Sequence, residues 1–419
     1  MQVDKTKRIF NSQLGTGFAA LIFCAILSLL IWPIWSMVMK TVFIGIAGEG
    51  LNAAGPKLAA QLLGAMVEGS CFWMIVISWI VLTLGNGLYG KYKFTERQPW
   101  AGLWYTIFGW FFGMVAFFVL INFLGIWWKP FNLAIMFTPK TAEDVQLAFE
   151  GWEAANFYVL ACIIVQAPLA TLFHKWPFAG NAKAPTDGFG TMALGTLVTW
   201  IVWMALIVPS FFKLSIGEHL VVLQPFGSWP AFVAFCQAFI IFFIIPAEGG
   251  ELYPMKLFAK KQPLMGIIGL IIALAAAFIV PPVLKSIVGP LNLVPGMPPD
   301  VVVASLELSV VVMIFAWHHL FDDFPSAQLV SNTAARVLLR AAIWFGGGAI
   351  YGVLWLKTFM KLPVGSNNMG MGFPTMGILA GQFVLLATVL FLNCYFDKWP
   401  FVRKQSVTSQ QVVAKEVAR

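Results

Sequence analysis

The sequence contains little charge. Only 11% of its 419 residues are Asp, Glu, Lys or Arg, whereas 60% are hydrophobic. An average soluble domain is about one quarter charged. This composition therefore excludes a water-soluble globular protein, because too little polar surface would face the solvent. The chain belongs in a lipid bilayer.

Cysteine and histidine are also scarce, and their positions exclude most cofactor chemistry. The five cysteines fall within apolar stretches and show no CxxC spacing, so we predict neither a disulfide framework nor a zinc site. The four histidines lie near the ends of apolar stretches or in loops, where they are poorly placed to ligate a haem inside a helix bundle. No phosphate-binding, dinucleotide-binding, zinc-protease or nucleophile-elbow motif occurs. We predict no cofactor, leave metal binding open, and favour a function other than catalysis.

Long apolar runs fill most of the chain, and each has the roughly 20 residues needed to cross the hydrocarbon core. The first run contains IWPIW instead of a small-residue cleavage site, so we interpret it as an uncleaved span. We predict an all-α polytopic membrane protein with about ten transmembrane helices. The longest connection, 126–153, contains an amphipathic stretch in which Thr141 is placed to start a helix. The predicted spans are 17–39, 66–86, 101–125, 154–173, 190–212, 229–247, 264–284, 301–321, 336–357 and 374–395.

The Lys and Arg residues are distributed unevenly between the two sides of the predicted bundle. The N-terminus, the loops after even-numbered spans and the C-terminal tail carry 18 of the 26, and the other side carries 8. Cytoplasmic loops of membrane proteins show such an excess. We predict a multi-pass protein of the plasma (inner) membrane with both termini in the cytoplasm. The net charge of +8 then reflects topology, and we predict no nucleic-acid partner.

Short loop sequences recur along the chain. Residues 87–99, GLYGKYKFTERQP, resemble residues 251–263, ELYPMKLFAKKQP, and FHKWPF at 173–178 resembles FDKWPF at 396–401. These matches favour a duplication over a chance likeness of aromatic, basic loops at the membrane interface. We predict a parallel internal repeat of spans 1–4 and 7–10, with spans 5–6 between. The corresponding units are 1–185, 186–263 and 264–419.

Acids within the predicted spans are the first candidates for function, because inserting a charge costs roughly 2.5–3.5 kcal/mol. Glu307 lies about two turns into span 8, which contains no basic residue to pair with it. Glu68 lies near the outer start of span 2. We rank Glu307 as the leading candidate for a substrate or ion path. Three glutamines within spans, Gln166, Gln237 and Gln382, are expected to form hydrogen bonds between helices instead.

A second group of candidates lies where spans 6 and 8 reach the cytoplasm. Aligning the end of span 6 with the end of span 8, at an offset of 71 residues, pairs Glu248 with His319 and Glu251 with Asp322. In both span ends the two polar residues are three positions apart and so lie on one helix face. Two interpretations remain open. These residues form a gate for protons, cations or substrate, or they are helix-end groups that extend into the interface.

Two functions remain open from the sequence. The first is a secondary transporter for a small solute, coupled to protons or cations, because parallel repeats occur in transporters with the substrate path between the units. The second is a haem-free membrane subunit of a quinone-linked respiratory or other membrane enzyme complex. Its repeated aromatic and basic cytoplasmic loops would then dock a soluble or membrane partner subunit. The expected partners are the lipid bilayer and a small-molecule or ion substrate.

Overall fold

A computed structural model describes residues 6–85, 97–179, 186–215, 229–364, 367–368 and 379–404 of the protein. Within these residues, nine helices are long and apolar enough to cross a membrane, and a shorter apolar helix spans Leu379–Cys394. The all-α, multi-pass membrane class is therefore confirmed. Residues 86–96, which carry most of the first recurring loop, lie outside the described residues.

Every predicted span overlaps a helix of the structure. The described residues also form two short β-ladders and two short 3₁₀-helices, at Met255–Leu257 and Phe359–Lys361. Helix α2 continues through π-helical turns at Trp73–Ile77 and Ile80–Gly85. The helices are α1 (Gln13–Ala53), α2 (Pro56–Phe72), α3 (Trp100–Gly125), α4 (Leu133–Phe137), α5 (Ala142–Thr171), α6 (Thr186–Ser215), α7 (Trp229–Ala247), α8 (Leu264–Leu291), α9 (Pro299–Phe321), α10 (Thr333–Lys357) and α11 (Leu379–Cys394); the strands are β1 (Thr6–Arg8), β2 (Pro363–Val364), β3 (Asn367–Asn368) and β4 (Val402–Lys404).

One difference from the predicted boundaries concerns the start of α5. The sequence assigns its amphipathic stretch to a connection, but the structure makes this stretch the first turns of the helix. The predicted helix start at Thr141 is correct: the Thr141 hydroxyl accepts a hydrogen bond from the Asp144 N–H, and the Asp144 carboxylate accepts one from the Thr141 N–H. This reciprocal capping satisfies two amide donors at the helix start and lets α5 continue unbroken into its apolar part.

The helices divide into two groups by burial. In α2, α5, α7 and α9, between 67% and 78% of the apolar stretch is buried, and nearly every described residue of α11 is buried as well. In α1, α3, α6, α8 and α10 the share is only 22–28%. We call the first group the inner helices and the second group the outer helices. The exposed apolar side chains of the outer helices form the surface that faces lipid.

The inner helices pack in a closed ring in chain order. Helix α2 packs on α5, α5 on α7, α7 on α9, and α9 on α11. The ring closes where Phe72 of α2 meets Phe383 of α11, with ring centroids 4.5 Å apart. A common axis therefore passes between five helices that are far apart in sequence.

Four inner helices end in the same backbone turn. Two successive residues take positive φ, and the N–H of the second donates to the carbonyl six residues earlier, as Lys175 does to Leu169 and Lys398 to Leu392. The same bond joins Leu252 to Pro246 and Asp323 to Trp317. This arrangement satisfies carbonyls that a helix end otherwise leaves without donors. An aromatic residue and a proline follow each turn.

Three outer helices begin with a shared docking contact. Gln13, Gln98 and Gln262 each donate a side-chain hydrogen bond to a carbonyl at the end of an inner helix, over 2.5–2.9 Å. Four residues later, a glycine lies against a phenylalanine ring of that same helix end, and a Cβ atom there would overlap the ring. The recurring Gln-Pro dipeptides thus fix where α3 and α8 start against the inner ring. The glycine and phenylalanine pairs are Gly17 with Phe321, Gly102 with Phe396, and Gly266 with Phe173.

The two described ends of the chain lie on the same side of the bundle. Strand β1 pairs antiparallel with β4, with Lys7 opposite Arg403. We call this side, where the inner helices end, the terminal side, and the opposite side the far side. Termini on one side require the chain to cross the bundle an even number of times.

Candidate functional site on the axis of the inner ring

A cavity of about 80 Å³ lies on the axis of the inner ring. Every inner helix contributes to its wall, which is almost wholly apolar. Because a single water needs about 10–15 Å³ of such space, the cavity has room for a molecule of a few non-hydrogen atoms. One wall residue from each helix in turn is Val76, Leu160, Ile240, Val311 and Leu386.

Polar side chains stand at the far end of this cavity. Glu68 of α2, Asn156 of α5 and Gln237 of α7 all line it and are at most 8% exposed. The Asn156 amide nitrogen donates to the Ala65 carbonyl over 3.1 Å. The Asn156 Oδ1 and Gln237 Oε1 atoms are buried and have no hydrogen-bond partner among the described residues. The cavity therefore has acceptor oxygens at one end and apolar walls elsewhere.

Aromatic side chains narrow the axis on either side of the apolar wall. The Phe72 and Phe383 rings meet across it near the far end, and Trp79 meets Phe315 edge-on at a centroid distance of 6.1 Å nearer the terminal side. Rings at these positions narrow the axis and present only apolar surface to it.

Glu307 is buried within the far half of α9. It is 1% exposed, and neither carboxylate oxygen has a hydrogen-bond partner in the described parts of the chain. It lies on α9 next to the cavity residue Leu308 and interacts electrostatically with Cys236 of α7, the neighbour of Gln237. The structure thus places the leading sequence candidate beside the axis, at the α7–α9 contact, and not in the lipid-facing surface.

The predicted hydrogen bonding of Gln382 between helices is confirmed, whereas Gln237 lies at the axial cavity. Gln382 links α11 to α9: it accepts from Ser305 Oγ over 2.7 Å and donates to Ser309 Oγ over 2.6 Å. Gln166 lies against Gly195 of α6. Gln237 instead lines the axial cavity. Sequence alone does not separate these glutamines, because each sits in an apolar helix.

At the terminal end of the axis, the structure brings Glu248 and His319 together. The His319 Nε2 and Glu248 Oε2 atoms are 3.9 Å apart, and Asn393 of α11 contacts His319 Nδ1 at 2.8 Å. Next to them, His318 Nδ1 lies 2.9 Å from the Asp323 carboxylate. Burial raises the pKa of Glu248 to about 7, although His318 lowers it and Asp323 adds to the rise. This group can bind or release a proton near neutral pH.

Glu251 and Asp322 do not join that group. The Glu251 carboxylate receives two hydrogen bonds from Arg336, at 2.6 and 2.7 Å, and one from Arg340 at 3.2 Å. The hydrogen bond from Arg336 is the main reason that the pKa of Glu251 is lowered. Asp322 pairs with Arg8 at 2.8 Å and with Lys398. Both acids therefore sit in ion pairs that connect helix ends, so the four helix-end candidates separate into two pairs.

Sequence reasoning missed several polar residues of the inner helices and their ends. Asn156 carries no motif, and its role depends on the close approach of α2 at Gly69, where a Cβ would overlap the Asn156 amide. Asp323 and Asn393 can be read directly from the sequence. No sequence pattern, however, predicts that they lie beside His318 and His319. Glu150, in the stretch assigned to a connection, is 1% exposed and accepts a hydrogen bond from Gln146 over 2.8 Å.

Comparison of the chain with family models, with curated proteins and with solved structures found no match.

Proposed function

We propose that the protein is a secondary transporter whose small solute crosses the membrane along the axis of the inner ring. The supporting observation is the axial cavity, which draws wall residues from every inner helix and has polar groups beyond both of its ends. A bundle that existed only to anchor another subunit would have no need for a cavity on its axis. Substrate sites near the middle of the membrane, between similar helical units, are typical of transporters.

Protons or cations couple to this transport in our proposal. Glu307 and Glu68 stand in the far half of the ring, and Glu248 and His319 stand at its terminal end. Carboxylates and imidazoles inside membrane proteins commonly carry protons or hold cations. The aromatic constrictions separate the two groups, so movement of the inner helices would connect each group in turn to its own side.

We propose that the terminal side is cytoplasmic and that the membrane is the plasma (inner) membrane. Most Lys and Arg residues fall on that side of the predicted topology. Reporter fusions after Lys183 and after Lys404 should report cytoplasm, whereas a fusion near Glu143 should report the outside. A Glu143 fusion that reports cytoplasm would contradict this orientation.

The parallel internal repeat also remains a proposal. The shared helix-end turns and the glutamine–glycine docking contacts support it, because both recur without inversion. In an experimental structure, α2–α5 should superpose on α9–α11 with the same direction, bringing Trp176 onto Trp399. A superposition that succeeds only after inversion would rule out the parallel arrangement.

A block of the axis tests the transport route. Ile163 lines the cavity and is only partly buried, so Ile163→Trp should fill it without disrupting the ring. Val119 on α3 is 59% exposed towards lipid and provides the matched control, Val119→Trp. In proteoliposomes screened for solute uptake, we expect Ile163→Trp to reduce uptake at least tenfold and Val119→Trp to leave it unchanged. Equal uptake by both variants would contradict an axial route.

Coupling is tested at Glu307. Glu307→Gln keeps the size of the side chain and removes its ability to ionise, so we expect the variant to insert and fold but to lose coupled transport. The measurement is uptake with and without an imposed pH gradient. Unchanged gradient dependence would remove Glu307 from the mechanism and leave Glu248 and His319 as the coupling residues.

A second cavity favours the alternative, a haem-free subunit of a quinone-linked complex. This cavity measures about 380 Å³ and lies among α1, α2, α3 and α11. Its aromatic and aliphatic wall suits a flat ring with a long apolar tail. The alternative predicts that quinone co-purifies with the protein and that a partner subunit binds its cytoplasmic loops. The wall includes Phe23, Trp35, Trp110, Phe391 and Trp399.

A further inference from the structure

The second cavity, of about 380 Å³, lies between the outer helices α1 and α3, on a floor formed by α2 and α11. Ile31 of α1 and Leu103 of α3 line it and are also exposed on the outside of the bundle, so the cavity opens towards lipid between these two helices. Trp35 and Trp110 are the wall residues farthest along α1 and α3, and their rings meet edge-on at a centroid distance of 6.2 Å. The cavity therefore narrows towards the far side of the bundle.

The cavity has the length of one lipid tail. Its wall follows α1 from Phe23 to Trp35, and twelve residues at 1.5 Å per residue cover about 18 Å. One leaflet supplies half of the roughly 30 Å of the hydrocarbon core. Both threonine hydroxyls of the wall, on Thr106 and Thr388, donate to backbone carbonyls of their own helices. The cavity therefore suits an extended apolar chain better than a ligand that needs hydrogen bonds from the wall.

The β1–β4 ladder lies at the terminal end of this cavity. The Phe401 ring packs edge-on against Phe23 at a centroid distance of 5.5 Å. The Ile9 N–H donates to the Phe401 carbonyl over 2.8 Å, which continues the pairing of the two strands. Side chains alternate between the two faces of a strand, so Phe401 and Arg403 project from the same face. Lys7 lies directly opposite Arg403 and shares that face, which therefore carries two neighbouring cations beside the cavity.

These two cations repel each other, because like charges directly opposite on a ladder are destabilising. Lys7 and Arg403 are exposed, and neither forms an ion pair among the described residues. On the other face of the ladder, Arg8 binds Asp322, which Lys398 binds as well. The face that carries Lys7 and Arg403 thus has a positive charge that an anion would offset.

The segments next to this region that the structure does not describe do not reverse the charge. Residues 1–5, 86–96 and 405–419 together contain five Lys or Arg residues and three Asp or Glu residues. The terminal side is also the side that we propose to be cytoplasmic, and basic residues next to membrane spans there attract anionic lipid headgroups. A small soluble anion would leave the cavity unfilled, and a neutral quinone would leave the two cations without a counter-charge.

We infer that an anionic phospholipid binds at this place, with its phosphate between Lys7 and Arg403 and one acyl chain in the cavity between α1 and α3. Arg403 lies two residues beyond Phe401, about 7 Å along the strand, so a headgroup held there stays next to the end of the cavity. The inference goes beyond the proposed function and holds whether or not the protein transports a solute.

Lipid binding to the delipidated full-length chain in detergent tests the inference. Dioleoyl phosphatidylglycerol has a net negative charge, and dioleoyl phosphatidylcholine has the same tails without net charge. Phosphatidylglycerol should bind at least tenfold more tightly and raise the thermal midpoint further, because a ligand of the folded state stabilises it. Glycerol 3-phosphate, which lacks the tails, should not bind measurably. Equal binding of the two lipids would overturn the inference.

A pair of double variants locates the headgroup. Lys7→Gln with Arg403→Gln keeps the backbone of the ladder and removes both charges, so the preference for phosphatidylglycerol should disappear. The matched control is Lys260→Gln with Lys261→Gln, which removes two exposed charges just before α8 on the same side. This control should keep the preference. An equal loss in both double variants, or no loss in the first, would overturn the assignment to the ladder.

A pair of leucine variants locates the tail. Leu27 of α1 lines the cavity and is only partly buried, so Leu27→Trp should fill it and weaken phosphatidylglycerol binding at least tenfold. Leu30 lies on the same helix, does not line the cavity and is 53% exposed, so Leu30→Trp should leave binding unchanged. Normal binding by Leu27→Trp would contradict the placement of the tail. If Leu27→Trp does not fold, the lipid comparison and the charge variants decide.

The same measurements distinguish the phospholipid from a quinone. Quinone that co-purifies with the protein and is displaced by Leu27→Trp, together with no preference for phosphatidylglycerol over phosphatidylcholine, would overturn the inference and favour the quinone-linked alternative. Phosphatidylglycerol that is enriched in the lipid extract of the purified protein, and lost from that of the Lys7 and Arg403 double variant, would uphold the inference.

Discussion

The two ends of the inner ring treat their polar groups differently. At the terminal end, Glu251 and Asp322 meet Arg336, Arg340, Arg8 and Lys398 in direct ion pairs. At the far end, Glu307 and Gln237 hold buried oxygens that have no hydrogen-bond partner among the described residues. Paired charges hold helix ends together, whereas an unsatisfied buried oxygen only lowers stability. The difference teaches that ion pairs hold the terminal end together, whereas the far end keeps buried acceptor oxygens, which our proposed function assigns to transport and coupling.

Glu248 combines features of both ends. It lies at the terminal end, but its contact with His319 is 3.9 Å long, and the Glu248 Oε2 atom has no hydrogen-bond partner in the part of the chain that the structure describes. Its pKa of about 7 contrasts with the lowered pKa of Glu251, three residues away. Within one helix end, therefore, one acid is held ionised and the other is placed to titrate.

From this comparison between the two ends, we predict that replacing Arg340 lowers stability most. Arg340→Met removes hydrogen bonds to the Gly249 and Pro325 carbonyls, at 2.7 and 2.8 Å, and one of the hydrogen bonds to Glu251. Leaving a buried carbonyl without its donor costs about 1–3 kcal/mol, and the variant leaves two such carbonyls. We expect a clear fall in the thermal midpoint of the purified protein in detergent. A midpoint within one degree of the unmodified protein would show that these pairs do not hold the terminal end together.

The second prediction concerns the pH dependence of stability at Glu248. Its pKa is raised from 4.5 to about 7 by burial, so the folded protein retains this proton to a higher pH than the unfolded chain does. Stability contributed by the protonated group is full below pH 4.5 and is lost as the pH rises through 7, with a total loss on the order of 3 kcal/mol. Glu248→Gln should flatten this slope in thermal unfolding between pH 5 and 8. An identical slope in the variant would place the titrating group elsewhere.

The third prediction is that replacing Glu307, at the far end, makes the protein more stable. Glu307→Leu removes two buried oxygens that have no hydrogen-bond partner among the described residues, and we expect stabilisation of about 1–3 kcal/mol together with loss of coupled transport. The matched control is Glu49→Leu on α1, where the glutamate is exposed and no gain is expected. Destabilisation by Glu307→Leu would mean that this carboxylate has a structural partner, and the contrast between the two ends would fail.

The smallest effect is predicted for Arg8. Its ion pair with Asp322 is about one third exposed on each side, and Lys398 also binds that acid. Exposed pairs contribute about 0.2–1 kcal/mol and weaken as salt rises. Arg8→Met should therefore shift the thermal midpoint only slightly in low salt and not at all in high salt. A loss as large as that of Arg340→Met would show that exposure does not separate these two ion pairs.

The recurring Gln-Pro sequences show how far sequence reasoning reached. They marked Gln98 and Gln262 as equivalent, and the structure gives both the same contact with an inner helix end. Gln13, which does the same at α1, has no proline after it and was not recognised. The alignment of Glu248 with His319 likewise found a pair that meets in space, but it joined Glu251 and Asp322 to them, because sequence spacing does not tell which cations approach each acid.

Hydropathy by itself determined the membrane class and the approximate helices, since a segment of about 20 apolar residues has few other stable states in a bilayer. It also singled out Glu307 and Glu68, because charges within such segments are rare. Only the tertiary structure decided which helices are inner and which are outer. Lipid and the interior of the bundle are similarly apolar, so amphipathic pattern does not separate the inner helices from the outer ones. The meeting of Glu68, Asn156 and Gln237 at one cavity follows from the closure of the ring, which no local stretch of the sequence records.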